Sequence, residues 1–180
     1  FMDGDLQQPR FLDLNPCGRV PVLVDGDFVL WESNAIMAYL SDSAGGSPLY
    51  PADLRERARV DRWMNWELAH FNNELGCLGW EEVAKPAFLG QAADGRLVER
   101  AAGRLLREAR VLEAQLAEGP YILGAQITLA DYALVSTEMF KEMVSFDWQG
   151  LDRVNAWYER MRGDLHWARF APLPEELGKR

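Results

Sequence analysis

The sequence predicts a small α/β segment joined to an all-helical domain, and three patterns carry that prediction. Two short apolar runs flank Asp25-Gly26-Asp27, a trio whose turn chemistry favours a β-hairpin. Gly45, Gly46, Pro48 and Pro51 crowd into residues 41–51, the composition of a linker. Beyond Ala52, apolar residues recur every three or four positions, the period of helices that bury one face.

In chain order, Gln8 to Leu14 can form one or two helical turns. They close at Asn15-Pro16, because a proline disfavours the α conformation of the residue before it. Val20-Pro21-Val22-Leu23-Val24 reads as a first strand and Phe28-Val29-Leu30-Trp31 as a second. Asn34 to Leu40 places Ile36, Met37 and Leu40 at helical spacing. After the linker, Val60, Met64, Leu68, Phe71 and Leu75 mark the inner face of one long helix. Leu97, Ala101, Leu105, Ala109, Leu112 and Leu116 mark a second, ended by Gly119-Pro120. A third helix is expected from Thr128 to about Ser145 and a fourth from Leu151 to Met161, before Pro172 and Pro174 break up a tail. The domains are therefore drawn at residues 1–46 and 52–180.

Bulk properties exclude several functions. The 180 residues are 48% apolar, ample for a core, yet no run reaches the roughly 18 apolar residues of a membrane span. A net charge of −9 disfavours nucleic acid or an anionic membrane as the main partner, since both reward clustered Lys and Arg. Two Cys form neither a disulfide framework nor a metal cluster, which fits a reducing cytoplasm. No metal site is expected: His70 and His166 stand too far apart in sequence to form one or to complete a triad. Phe1-Met2-Asp3 has no leading Met, basic segment or apolar signal stretch, and reads as the interior of something longer.

Each candidate site residue carries two readings. A cis Val20-Pro21 bond would turn the Val20 N–H and C=O outward, free to pair with a peptide-like ligand; a trans proline at an edge strand would do neither. Ser33, at a strand-to-helix junction, is either an anion grip assisted by unpaired helix-start amides or a plain N-cap. Thr128-Leu129-Ala130-Asp131 is a capping box, with Ile127 and Tyr132 as its staple, and its reading is structural. Cys17 follows Asn-Pro in a turn, where a helix end offers no help to a nucleophilic thiol and the bland reading of a turn residue is favoured, and Cys77 reads as a packing residue.

Phe11-Leu12-Asp13-Leu14-Asn15-Pro16-Cys17-Gly18-Arg19-Val20-Pro21-Val22-Leu23, Leu30-Trp31-Glu32-Ser33-Asn34-Ala35-Ile36, Ala58-Arg59-Val60-Asp61-Arg62-Trp63 and Ile127-Thr128-Leu129-Ala130-Asp131 occur here in order. Together they resemble the cytosolic glutathione transferase family, with bacterial theta- or beta-like members the nearest in pattern. The resemblance implies an incomplete thioredoxin-like N-terminal domain that binds glutathione as co-substrate, followed by the family's all-helical C-terminal domain. It implies that Val20, before cis-Pro21, pairs with the cysteinyl backbone, and that Glu32 and Ser33 hold the γ-glutamyl end. Arg19 lies near the glycyl carboxylate. Trp66, Phe71 and Trp80 become the lining of a pocket for a small hydrophobic electrophile, and the expected assembly is a homodimer.

The resemblance also implies that Phe1-Met2-Asp3 belongs to the second strand of such a domain. The first strand, the first helix and the thiol-activating Tyr, Ser or Cys would then precede the residues given, and the catalytic residue stays unknown. The expected reaction is conjugation of the glutathione thiolate to hydrophobic electrophiles, a detoxification chemistry. A glutathione-dependent isomerase, dehalogenase or reductase and a non-catalytic interaction module of the same fold remain alternatives.

Overall fold

The computed structural model describes residues 4–169. The strand expected at Phe1-Met2-Asp3 and the tail containing Pro172 and Pro174 lie outside the described residues. A 3₁₀ turn at Asp5–Gln7 leads into the short helix α1 (Pro9–Leu12). Strands β1 (Val22–Asp25) and β2 (Phe28–Trp31) form an antiparallel hairpin in which Val22 faces Trp31 and Asp25 faces Phe28. The second strand has the predicted limits. The first begins two residues later than expected, after Pro21, which has no N–H to give to a ladder.

Helix α2 (Ser33–Ser43) extends past both predicted ends, so the linker is shorter than residues 41–51 indicated. Tyr39 donates its hydroxyl to Asp25 at 2.7 Å and stacks its ring 5.1 Å from Phe28, which fixes α2 across the hairpin. At the C-terminal end of α2, the Arg57 guanidinium forks onto Asp42 at 2.9 and 3.1 Å and so joins α2 to the helical domain.

The helical domain opens with α3 (Leu54–Trp66), whose first amides at Arg55 and Glu56 are capped by the Asp53 carboxylate. The chain then stays helical through a π turn (Glu67–Phe71), α4 (Asn72–Gly79), a second π turn (Trp80–Ala84) and α5 (Lys85–Leu89). Val60, Met64, Phe71 and Leu75 are buried as predicted, but Leu68 is 44% exposed. The wider π turn rotates the helix so that Glu67, in line with Trp63 and Phe71, points inward instead.

The amphipathic α6 (Gly95–Gln115) buries Ala101, Leu105, Ala109 and Leu112, as its spacing requires. The helix expected from Thr128 to about Ser145 is broken into α7 (Leu129–Val135) and α8 (Glu138–Lys141). Ser136 and Thr137 donate their hydroxyls back to the Ala133 and Leu134 carbonyls, a local bond that competes with helix continuation. Then come α9 (Asp152–Arg162) and α10 (Leu165–Ala168). Val60, Phe71, Leu105, Leu134, Val154 and Trp157 share a single core drawn from α3 to α9. Among the described residues, no helix is long and apolar enough to cross a membrane.

A tight turn joins α6 to α7, with Tyr121 and Gly124 paired as a short bridge. A Cβ built on Gly119 would lie 2.6 Å from the Gly124 carbonyl carbon and oxygen. Because that neighbour is backbone and cannot step aside, Gly119→Ala is expected to cost about 1–3 kcal/mol. Chemical denaturation of the two proteins measures the difference.

Candidate functional site

The loop before β1 is shaped by a buried asparagine. Asn15 accepts the Cys17 N–H on its Oδ1 at 2.9 Å and donates Nδ2 to the Arg19 carbonyl at 2.7 Å. The Gly18 N–H closes the same turn onto the Asn15 carbonyl. Gly18 adopts φ +61, a conformation that favours glycine, and a Cβ there would also crowd the Leu6 carbonyl oxygen at 3.1 Å. This turn delivers Arg19, Val20 and Pro21, all exposed, to the start of β1. The Val20-Pro21 bond is cis. Among the described residues, neither the N–H nor the C=O of Val20 makes a hydrogen bond.

The hairpin register brings the second half of the site to the same place. With Val22 opposite Trp31, one further step sets Pro21 beside Glu32, and Ser33 follows. Glu32 is the one described non-glycine residue at positive φ, +75, and it turns the chain from β2 into α2. Backbone of this kind persists where surrounding structure holds it, and such outliers cluster at ligand sites. The first bond inside α2 runs from the Ile36 N–H to the Glu32 carbonyl. Among the described residues, the amides of Ser33, Asn34 and Ala35 find no partner, and Ser33 is exposed with its hydroxyl uncommitted. One end of the hairpin thus presents free amides suited to a carboxylate, a serine hydroxyl, an acidic side chain suited to an amine, and the open Val20 backbone.

The predicted apolar lining is only partly assembled. Trp66 and Phe71 meet at 5.6 Å between ring centres, and Trp66 packs edge-on against Trp63 while donating Nε1 to Glu108 at 3.1 Å. Phe71 is fully buried in the helical core. Trp80 is 48% exposed, and among the described residues no ring contact joins it to Trp66 or Phe71. A cleft of about 560 Å³ lined by Asp42, Gly45, Gly46, Tyr50 and Arg57 sits at the opposite end of α2 from Ser33.

Two residues beside this site went unnoticed in the sequence. Asn34, next to Ser33, donates Nδ2 to the Met64 carbonyl at 3.2 Å, linking the start of α2 to α3. Glu67 lies buried nearby, and desolvation pushes its carboxyl up from the ordinary value to about 7, against the opposing pull of Asn72 and Asn34. Its signal was hidden because Leu68, one position on, fitted the apolar period. Burial likewise raises the Cys77 thiol, with Glu74 and Glu81 adding to the effect, as suits a packing residue. Among the described residues, no group of His, Cys, Asp and Glu could hold a metal ion.

Residues 1–42 match the family model for the N-terminal domain of glutathione S-transferase, and residues 96–160 match the one for its C-terminal domain. Glutathione S-transferase F10 of Arabidopsis thaliana is 32% identical over 172 residues, which cover 93% of this chain and 80% of that protein. A theta class glutathione S-transferase from Xanthomonas axonopodis pv. citri, solved with glutathione bound, superposes with a TM-score of 0.79. It is 33% identical and covers 92% of this chain and 78% of its own. A glutathione S-transferase-I solved with lactoylglutathione gives a TM-score of 0.83 at 27% identity, covering 94% of this chain and 81% of its own.

Proposed function

Because this chain belongs to the glutathione transferase family, we propose that it holds glutathione at the Val20–Ser33 end of the hairpin and conjugates the thiolate to hydrophobic electrophiles. The observation that carries this is the convergence of the open Val20 backbone with Glu32, Ser33 and the unpaired start of α2. Val20 offers one donor and one acceptor, the pair that the backbone of a central cysteinyl residue needs. The Ser33 hydroxyl and the α2 amides neutralise the γ-glutamyl carboxylate, and the Glu32 carboxylate receives its amine. Arg19 is exposed on the same loop, where it can favour the glycyl carboxylate.

These contacts bind and orient. A free thiol ionises near pH 8.5, so a hydrogen-bond donor or positive field at the sulfur must favour the thiolate. Residues 1–46 are read as the glutathione-binding domain and residues 52–180 as the domain that supplies the apolar pocket, through the partly exposed Trp66 and Trp80, with Phe71 buried behind Trp66 in the core. The exposed apolar side chains Val24, Phe28, Val29 and Trp31 support a homodimer as the working form. Detoxification in the cytoplasm is the setting such chemistry fits.

Ser33→Ala tests the assignment. Losing a hydrogen bond to a charged carboxylate costs about 1.5–3 kcal/mol, so glutathione should bind roughly 10–100-fold more weakly by calorimetric titration. A protein that binds no glutathione before the substitution, and is unaffected by it, would instead be an interaction module of this fold.

A further inference from the structure

Glu67 has no part in holding glutathione as described above, yet its burial demands an account. It is 2% exposed, sits in the first π turn and, among the described residues, leaves Oε1 without a hydrogen-bond partner. Buried carboxyls are normally paired or fully hydrogen-bonded, because an isolated charge in an apolar interior is costly. Here the facing groups are the neutral carboxamides of Asn34 from α2 and Asn72 from α4. From α9, Tyr158 is the titratable group near enough to feel its charge, and its hydroxyl is engaged with Thr137. From α6, Glu108 is turned to Trp66 and Arg104 to Glu74. Among the described residues, no lysine or arginine offsets Glu67.

The position of Asn34 gives this carboxyl a route to the hairpin site. Asn34 directly follows Ser33, and its Nδ2 already holds the Met64 carbonyl one turn before Glu67 on the same continuous helix. A neutral Glu67 lies comfortably against this arrangement. An ionised one, in the same apolar surroundings and without a cation, draws in water or strengthens its existing pull on the Asn34 amide at the expense of the Met64 carbonyl. Either change disturbs the bond that seats the start of α2.

We propose that Glu67 is a positioning residue: acting through Asn34, its protonated carboxyl keeps the start of α2, and with it Ser33, seated for the ligand, and ionisation loosens that seat. For its ligand the proposal rests on the glutathione reading of Ser33. Linkage sets the direction. In the folded chain the proton is held up to about pH 7, whereas in the unfolded chain it leaves near the ordinary 4.5. This proton therefore stabilises the whole fold most at the acid end, a contribution lost as pH rises through that interval, and within the folded chain the seat loosens as Glu67 ionises near pH 7.

The test uses S-methylglutathione, which has no thiol to titrate, and compares the wild-type protein with Glu67→Gln and Asn34→Ala. Between roughly pH 6 and pH 8, wild-type affinity is expected to fall about fivefold with a midpoint near 7, while both variants show a flat profile. A second measurement needs no ligand. The Ile36 amide closes the first turn of α2 onto Glu32, so its hydrogen-exchange protection reports the seat directly. That protection is expected to fall with pH in the wild type and to hold steady in Glu67→Gln.

A Glu67 that merely packs would shift overall stability and leave the same pH course of binding in all three proteins, which overturns the proposal. A pH slope that survives in Asn34→Ala overturns the route through Asn34. If the wild type binds no S-methylglutathione, the glutathione reading fails, and the Ile36 protection then decides the role of Glu67 alone.

Discussion

Asp131→Ala is expected to lower the unfolding free energy by about 3–5 kcal/mol, well beyond the ~1 kcal/mol of an ordinary cap. As the N3 residue of a capping box, Asp131 should satisfy only the start of α7. It is fully buried and does more. Oδ2 accepts the Thr128 N–H at 2.9 Å and the Thr128 hydroxyl at 3.1 Å. Oδ1 accepts the Ile122 N–H at 3.0 Å and the Trp157 indole N–H at 2.9 Å, joining the turn after α6, the start of α7 and the middle of α9. Alanine leaves three N–H donors without partners in the interior, each costing about 1–3 kcal/mol where water cannot reach. For a chain of this length the melting temperature should fall by roughly 10 °C. Asp131→Asn keeps the shape and one acceptor and should lose about half as much. Calorimetric melting of the three proteins checks the order; equal melting points would show that the four bonds do not connect the domain.

That difference between a cap and a hub shows which information is local. The capping box could be read from four adjacent residues, but Ile122 and Trp157 reach Asp131 only once the fold exists. The hairpin was legible because Asp25-Gly26-Asp27 dictates a turn, and α6 because nothing interrupts its apolar spacing. The long helix was legible in its existence and misread in its register. A π turn leaves no compositional mark, so the spacing puts Leu68 on the inner face, whereas the structure exposes Leu68 and buries its neighbour Glu67. The break between α7 and α8 was missed because the Ser136 and Thr137 back-bonds act below the scale of periodicity. At the site, the residues alone left Val20-Pro21 and Ser33 ambiguous. The hairpin register resolves part of that ambiguity by placing Pro21 beside Glu32, a relation between two segments that neither one contains.

Phe71→Ala and Trp80→Ala are expected to separate two roles that the sequence merged. Phe71 is fully enclosed between Trp66 and Trp148, whose ring centres lie 5.6 and 6.5 Å away. Truncating a buried aromatic leaves a cavity and costs about 3–5 kcal/mol, so Phe71→Ala should unfold at much lower denaturant. Trp80 is half exposed, and its removal should move stability by no more than about 0.5 kcal/mol. If Trp80 borders the electrophile pocket, the effect will appear in the ligand. S-hexylglutathione adds an apolar arm to the same peptide, and each buried methylene contributes about 0.8 kcal/mol. Trp80→Ala should therefore cut the advantage of S-hexylglutathione over glutathione by several-fold and leave glutathione itself unchanged. Should the ratio stay at its wild-type value, Trp80 is a surface residue and the pocket must be sought along the half-buried edge of Trp66. Because both affinities are measured on one protein, a loss of fold would lower them together and could not imitate a change in their ratio.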